Sequence, residues 1–288
     1  MENEFEQTPG PGPAASPSVP QVSPALGLDP VTGQPLPPAS PAPDEKKLLA
    51  PVWHTLLIVL LVVGNSVVSW WMSHSIVSKS VVITEKARLL QYTFTIVLEF
   101  FLLFLTWVGL RLNKKRLRDV IGGRWDTPEA VLIDVAIAAG FWIVAFGVLA
   151  AMGYALGLGK QSQLPEAKKL IEALAPHSIG GLGIFVLLSC VAGFVEEILF
   201  RGYLQKQISL LSGNVYVGLL VSALIFGAGH GYQGTRRMIV IAVYGILFGL
   251  LVQWRKSLRP GMIAHAWHDA FEGTLLFFVV RFHLDRMM

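Results

Sequence analysis

The chain has 288 residues, of which 53% are hydrophobic and only 15% are charged, and its mean hydropathy is +0.57. These values lie outside the usual range of soluble domains, and the length leaves no room for a separate soluble enzyme beside a membrane bundle. The formal net charge of +4 comes from basic residues gathered between apolar runs, a pattern that reports membrane orientation and argues against a nucleic-acid partner.

Residues 1–50 predict a tail without a folded core. They hold 12 of the 17 prolines, and a segment of this composition cannot bury enough apolar surface to fold. We expect a disordered Pro-rich tail, with docking to a proline-recognising partner as the alternative.

Apolar runs follow one another from Val52 onward and predict an all-α bundle of transmembrane helices embedded in membrane lipid. A spanning helix needs about 20 apolar residues, and long runs without two-residue alternation exclude a β-barrel. We expect about seven to eight spans, with 51–175 forming N-terminal helices and 176–282 forming the region that carries the chemistry. The runs are Val52–Met72, Gln91–Leu110, Ala130–Leu156, Gly180–Phe200 or beyond, Val215–Gly229, Met238–Trp254 and Gly261–Val280.

The connector Arg111–Arg124 gathers six basic residues in one short loop, which the positive-inside rule assigns to the cytoplasm. Counting spans in both directions predicts that the N-terminal tail and the basic turn around 255–259 lie on the same side. Gly245 and Gly249 are four residues apart on the sixth span, which predicts close packing of two helices.

A set of ionisable residues in the C-terminal half needs more than packing to explain it. A charged side chain at the centre of a spanning helix costs roughly 2.5 to 3.5 kcal/mol on insertion scales, so such groups persist where they face one another or a watery cavity. The set therefore predicts a functional site inside the bundle. Its members are Glu196, Glu197, Arg201, His230, His265 and Asp269.

The spacing of these residues along the chain predicts how Glu196, Glu197, Arg201 and His230 are arranged. Glu197 and Arg201 are four residues apart in the favourable acid-before-base order, which predicts a salt bridge. Glu196 is turned by about 100° from its neighbour and is free to face a cavity. Glu196 and His230 each lie about 17 residues from a turn near Gly213, so we expect similar depths if the fourth span continues to that turn.

The seventh span carries a polar stripe. His265 and Asp269 are four residues apart, Glu272 follows on the same stripe, and His268 is expected to be a packing residue. Because His265 comes soon after a cytoplasmic turn, straight spans would leave it nearer that face than His230. Bringing the groups together requires a broken helix around 231–234 or a tilted sixth span.

Three segments resemble the motifs of the CAAX-protease and bacteriocin-processing family (CPBP, or Abi), which includes CAAX prenyl proteases and lysostaphin-resistance-protein-A-like proteins. Residues 196–201 are similar to Glu-Glu-x-x-x-Arg, and Phe226-x-x-x-His230 is similar to the second motif. His265-x-x-x-Asp269 resembles the third, in which asparagine or sometimes aspartate follows the histidine.

The resemblance implies an intramembrane endopeptidase that hydrolyses a membrane-associated protein or peptide, prenylated or unmodified. Mapped onto this chain, Glu196 is the general base that activates water, and His230 assists it or holds that water. His265 and Asp269 would stabilise the oxyanion, although an ionised Asp269 cannot donate a hydrogen bond and would instead orient His265. The resemblance also places Glu197 among the catalytic residues and gives Arg201 and Phe226 a structural role beside them.

The chemistry of this site leaves two mechanisms open. Glutamate-dependent hydrolysis needs no cofactor. Zinc held by Glu196, His230 and His265 is the alternative, because two histidines and a carboxylate with one position for water form a familiar catalytic set. The chain lacks the His-Glu-x-x-His helix of many zinc proteases.

Two other classes of function remain open from the sequence. One is a non-catalytic scaffold or immunity protein of the same fold that acts by binding alone. The other is a proton-coupled transporter in which Glu99 and Asp134 extend the cluster into a relay. Internal inverted repeats would support the transporter, and the sequence shows none.

Overall fold

The computed structural model describes residues 48–282 except for 79–82, 159–167, 169 and 170. The predicted tail therefore lies almost wholly outside the described residues. Within them the named elements are helices, which confirms the all-α prediction. In chain order they are α1 (Val52–Ser78), α2 (Glu85–Leu112), α3 (Leu117–Ile121), α4 (Pro128–Ala155), α5 (Ile179–Glu196), a π-helical segment (Glu197–Gln205), α6 (Lys206–Ser212), α7 (Val215–Gly229), a 3-10 turn (Gly231–Gln233), α8 (Thr235–Arg255) and α9 (Arg259–Arg281).

Five helical stretches of the described chain are long and apolar enough to cross a membrane, which supports an integral membrane protein. Helix α7 is apolar but has 15 residues, and α9 has 23 residues interrupted by the ionisable stripe. The expected count of seven to eight spans is therefore not confirmed. The five stretches are Val52–Met72, Glu85–Leu112, Pro128–Ala155, Ile179–Ser212 and Thr235–Arg255.

Side-chain caps set where several of these helices begin. Thr84, Thr127 and Ser178 each accept a hydrogen bond from the backbone N–H three residues later, and Asn214 caps α7 in a similar way. These bonds satisfy N–H groups that have no partner inside the helix. Gly213 ends α6 with a φ of 70°, a left-handed conformation that glycine adopts without steric cost.

The fourth predicted span is one helix of 34 residues, Ile179–Ser212, whose middle is π-helical. All nine residues of Glu197–Gln205 are buried, and π-helical turns are frequent at functional sites. The predicted continuation to the turn at Gly213 is confirmed. The expected rotation of about 100° per residue does not hold beyond Glu196, because a π-helical turn is wider than an α-helical one.

The main hydrophobic core surrounds this π-helical segment. Leu199, Phe200 and Leu204 are buried in one cluster with apolar side chains from α1, α2, α7 and α8. The hydroxyl of Tyr203 lies 2.9 Å from Oγ1 of Thr55, which ties α1 to the segment by a buried polar contact. The π-helical segment is therefore held by neighbours on all sides.

The start of the described chain, the basic connector and the α8–α9 turn lie at one end of the molecule. Asn113 donates a hydrogen bond to the carbonyl of Leu48 at 3.0 Å. The backbone N–H of Leu258 donates to the carbonyl of Ile121 at 2.8 Å, beside a bridge between Gly122 and Ser257. The basic connector and the basic turn around 255–259 therefore lie together, as predicted, whereas the predicted side of the N-terminal tail lies outside the described residues.

Candidate active site

A close contact between α5 and α9 brings the first and third motifs together. A Cβ atom placed on Gly193 would lie 2.6 Å from the backbone nitrogen of Ala266. Real Cβ contacts are not that short, so the two backbones approach at a distance that requires glycine. Glu196 and Glu197 follow one turn after Gly193, directly opposite His265.

The α8–α9 turn lies beside the long helix Ile179–Ser212, some distance before that helix ends. The depth difference expected to keep His265 away from the other site residues is therefore absent. A Cβ atom on Gly202 would lie 3.0 Å from Cδ1 of Leu258, so α9 begins beside the π-helical segment and above the Gly213 turn. His265 comes about two helical turns after Leu258 and reaches the level of Glu196 and Glu197. The structure thus places His265 at the centre of the site.

Glu197 joins Arg201 and His265 in a buried line of hydrogen bonds. Arg201 donates to Oε1 of Glu197 at 2.9 Å, and both side chains are at most 1% exposed, which confirms the predicted salt bridge. Nδ1 of His265 lies 3.1 Å from the same oxygen. Because an ionised carboxylate only accepts, Nδ1 carries the hydrogen of this bond. Glu197 therefore fixes the orientation of the imidazole.

The other ring nitrogen of His265 faces two further carboxylates. Nε2 lies 3.6 Å from Oε2 of Glu196 and 3.7 Å from Oδ2 of Asp269. Glu196 is 14% exposed and Asp269 is 30% exposed, whereas Glu197 is fully buried. Among the described residues Oε2 of Glu196 has no hydrogen-bond partner. Glu196 and Asp269 thus flank Nε2 and keep access to the outside of the core.

Aromatic rings enclose the guanidinium of Arg201. Its Cζ lies 4.2 Å from the ring centroid of Phe226 and 4.9 Å from that of Phe248, distances at which a cation is attracted to the ring face. Phe248 also stacks on His265 at 5.1 Å. These rings exclude water from the salt bridge and hold both charged partners in place.

His230 reaches the site through aromatic contacts. It follows the last residue of α7, and its Nδ1 lies 2.9 Å from the carbonyl of Phe226. Phe226 lies between the two histidines, with centroids 5.0 Å from His230 and 6.0 Å from His265. Within the described chain His230 forms no hydrogen bond or ion pair with Glu196, so the expected pairing of these two residues is indirect.

Of the two arrangements expected to bring the motifs together, the broken helix after His230 is present. A 3-10 turn separates α7 from α8, and Gly234 has a φ of 93°, a conformation that favours glycine. The turn brings Tyr232 beside His230, with ring centroids 6.1 Å apart. The break therefore adds a polar group that the motifs do not include.

Two other polar groups considered from the sequence lie outside the cluster. His268 is buried against Tyr244, with ring centroids 4.9 Å apart, as expected for a packing residue. Its Nε2 lies 3.2 Å from the exposed carboxylate of Glu272. Asp134 accepts hydrogen bonds from Arg255 at 2.7 Å and from a tryptophan of the loop before α4 at 2.9 Å, so it braces α8 and does not join a relay.

The donor set suggested for zinc does not converge. No three histidine, cysteine, aspartate or glutamate side chains of the described residues are arranged to hold a metal ion. Catalytic zinc takes three protein ligands at about 2.0 to 2.3 Å. Glu196 and His265 are neighbours, whereas His230 contacts neither of them in this part of the chain. The residues present do not fit the predicted zinc site.

The side chains of α8 form a wall of the site that the three motifs do not include. A Cβ on Gly245 would lie 3.1 Å from Ala223, and one on Gly249 would lie 2.9 Å from a glutamine oxygen, which confirms the predicted close packing. Tyr244 and Phe248 project from the same face toward His265, with ring centroids 6.1 Å and 5.1 Å away. Their spacing beside the two glycines is the signal that could have indicated them.

Comparisons with known proteins agree with the resemblance of the motifs. The family model described as type II CAAX prenyl endopeptidase Rce1-like matches residues 178–271. The uncharacterized protein YpbD of Bacillus subtilis (strain 168) is 34% identical over 87 residues, which are 30% of this chain and 41% of YpbD. The chain thus matches less than half the length of that relative. No solved structure matches.

Proposed function

We propose, on the premise that residues 178–271 form a CAAX-protease-like region, that this integral membrane protein is a glutamate-dependent intramembrane endopeptidase. Its substrate would be a membrane-associated protein or peptide, prenylated or unmodified. The observation that carries the proposal is the buried line from Arg201 through Glu197 to His265. This line turns Nε2 of the imidazole toward Glu196 and Asp269.

The proposed reaction uses Glu196 as base and His265 as donor. The carboxylate of Glu196 removes a proton from water while the water oxygen attacks the peptide carbonyl carbon. His265, protonated on both nitrogens among these carboxylates, donates from Nε2 to the oxyanion that forms. Glu196 then passes its proton to the amide nitrogen as the C–N bond breaks. The acid and amine products leave, and Glu196 is again a carboxylate.

The remaining site residues position these groups. Asp269 lies 3.7 Å from Nε2 of His265 and stabilises the positive charge of the imidazole. An ionised aspartate can play this role, whereas it cannot donate a hydrogen bond to the oxyanion. Nδ1 of His230 donates a hydrogen bond to the carbonyl of Phe226. Nε2 of His230 is therefore the nitrogen that holds the attacking water. This mechanism needs no cofactor. For residues 1–50 we propose a disordered tail in the cytoplasm, with docking to a proline-recognising partner as the alternative.

The test compares cleavage of prenylated and unmodified peptide libraries by the purified protein and by Glu196→Gln and His265→Gln. Each change removes a group that transfers or donates a proton in the transition state, so we expect kcat/KM to fall by at least about 100-fold. Product masses locate the cleaved bond. Equal cleavage by the wild type and Glu196→Gln would refute the assigned base.

The matched control is Glu272→Gln, the same change at a carboxylate on α9 that is 61% exposed. It is expected to leave kcat/KM unchanged. Metal analysis and chelator treatment of the same preparations test the mechanism. Stoichiometric zinc together with chelator-sensitive cleavage would replace the glutamate mechanism by a metal-dependent one.

A further inference from the structure

A cavity of about 480 Å³ lies at the end of the bundle where the basic connector meets the α8–α9 turn. Residues of α3, α6, α8 and that turn line it, and its volume is within the range of small-molecule sites. Of the motif residues only Arg201 belongs to its described lining, whereas Glu196, His230 and His265 do not. The cavity is therefore distinct from the proposed active site.

The lining of this cavity combines apolar walls with basic groups. Its basic members are Arg201, Lys206 and Lys256, and no acidic side chain is present among the described lining residues. A ligand that fits both parts of the lining carries a negative charge and an apolar chain. The apolar members are Leu49, Val120, Leu210, Val215 and Val252.

The two lysines of the cavity have only neutral partners in the described part of the chain. Nζ of Lys206 donates to the carbonyl of Val120 at 2.7 Å, and Nζ of Lys256 lies 3.5 Å from Oε1 of Gln253. An ammonium group has three hydrogens to donate, so each lysine keeps two donors after these contacts. Both lysines can therefore bind an anion without giving up an ion pair.

Other charged groups near the cavity are already paired. Arg201 donates to Glu197 at 2.9 Å, so its positive charge is balanced inside the core. Asp119, which precedes Val120 in the connector, accepts a hydrogen bond from the backbone N–H of Arg116 and pairs with Arg118. The positive charge available to a ligand therefore comes from the two lysines.

We propose that this cavity binds an anionic phospholipid, whose phosphate pairs with the ammonium groups of Lys206 and Lys256 and whose acyl chain lies against the apolar walls. Basic pockets between transmembrane helices are suited to the phosphate groups of lipids. A free phosphate ion would satisfy the lysines but would leave the apolar walls without a partner. The inference does not depend on the proposed peptidase function, and its test requires no cleavage.

The test measures thermal unfolding of the full chain in a neutral detergent as dioctanoyl phosphatidic acid, dioctanoyl phosphatidylcholine or inorganic phosphate is added. A ligand that binds the folded state raises the unfolding temperature. We expect phosphatidic acid to act at concentrations at least about tenfold lower than either of the other two. An equal effect of phosphatidylcholine would show that the charge is not recognised, and an equal effect of inorganic phosphate would show that the chain is not. Either result overturns the proposal.

Variants of the lining locate the binding site, and each is compared with its own unfolding temperature without lipid. Lys206→Gln and Lys256→Gln should each raise the phosphatidic acid concentration for half of the maximal shift by about fivefold. Gln253→Glu adds a negative charge to the lining and should weaken binding in the same direction.

Lys114→Gln is the matched control for Lys256→Gln. Both lysines are exposed, and their φ values are 58° and 55°, but Lys114 lies in the connector outside the described lining of the cavity. The control should keep the response of the wild type to phosphatidic acid. An unchanged response in both Lys206→Gln and Lys256→Gln, or an equal loss in Lys114→Gln, would show that the lipid does not bind in this cavity.

Discussion

At the scale of single residues, two adjacent glutamates have different surroundings and therefore different uses. Glu197 is fully buried and bonded to both Arg201 and His265. Glu196 is partly exposed, and its Oε2 is without a hydrogen-bond partner among the described residues. A carboxylate that is held by two partners is suited to positioning, whereas one that is free to bind water is suited to act as a base.

Arg201→Ala is expected to destabilise the protein by about 3 to 5 kcal/mol, because it removes the salt-bridge partner of the buried carboxylate of Glu197 and leaves that carboxylate with His265 alone. Thermal unfolding in detergent measures the loss. Adding Glu197→Gln removes the buried charge that has lost its arginine and should restore part of the stability without restoring cleavage. Arg124→Ala is the control, since Arg124 is 83% exposed and pairs with Asp126 at 3.0 Å on the surface. Unfolding of Arg201→Ala at the same temperature as this control would contradict the prediction.

At the scale of elements, the site depends on how closely α5 and α9 pack. The approach at Gly193 and Ala266 sets the register that brings His265 opposite the two glutamates. The π-helical segment then turns Glu197 and Arg201 into the core, where every residue of the segment is buried. Local helix geometry and the interhelical contact act together, because a shift of either one would separate the hydrogen-bonded groups.

Gly193→Ala is expected to destabilise the protein by about 1 to 3 kcal/mol, since the added methyl group overlaps the backbone of α9. It should also lower kcat/KM by moving His265 away from the glutamates. Gly183→Ala makes the same change on the same helix, where nothing lies within 4 Å of the new Cβ, and should have neither effect. Thermal unfolding and peptide cleavage are measured for both. Equal behaviour of the two variants would show that the close approach is not required.

At the scale of the whole molecule, the basic segments form one surface at one end of the bundle. The connector contacts the α8–α9 turn through Gly122 and Ser257, and Lys206 donates to the carbonyl of Val120 at 2.7 Å. Clustering of lysine and arginine at one end is the signal for a cytoplasmic face. We therefore propose that this end faces the cytoplasm, and that the turn at 231–234 lies toward the other side.

Cysteine labelling tests this orientation in a Cys190→Ser background. Arg118→Cys lies in the basic connector, and Thr235→Cys lies at the start of α8, whose 21 residues span about 30 Å. A membrane-impermeant maleimide should label Arg118→Cys only in inside-out vesicles and Thr235→Cys only in right-side-out vesicles. The reverse pattern would invert the proposed topology, and labelling of both from one side would refute a spanning α8.

The sequence by itself determined the membrane class, the helical architecture, the motif residues and the Glu197–Arg201 pair. Each of these follows from hydropathy along the chain or from spacing within one helix, which act over short distances. The break after His230 is one of the two arrangements that the sequence left open, a broken helix or a tilted sixth span, because straight spans could not join the motifs.

Only the tertiary structure decided which groups meet. The sequence favoured Glu196 and His230 as partners, whereas the structure puts His265 beside Glu196 and places His230 behind the Phe226 ring. That outcome depends on the packing register of α5 against α9 and on a π-helical turn. Contacts between residues nearly 70 positions apart leave no periodic signal in one sequence, because they depend on the shapes of both helices.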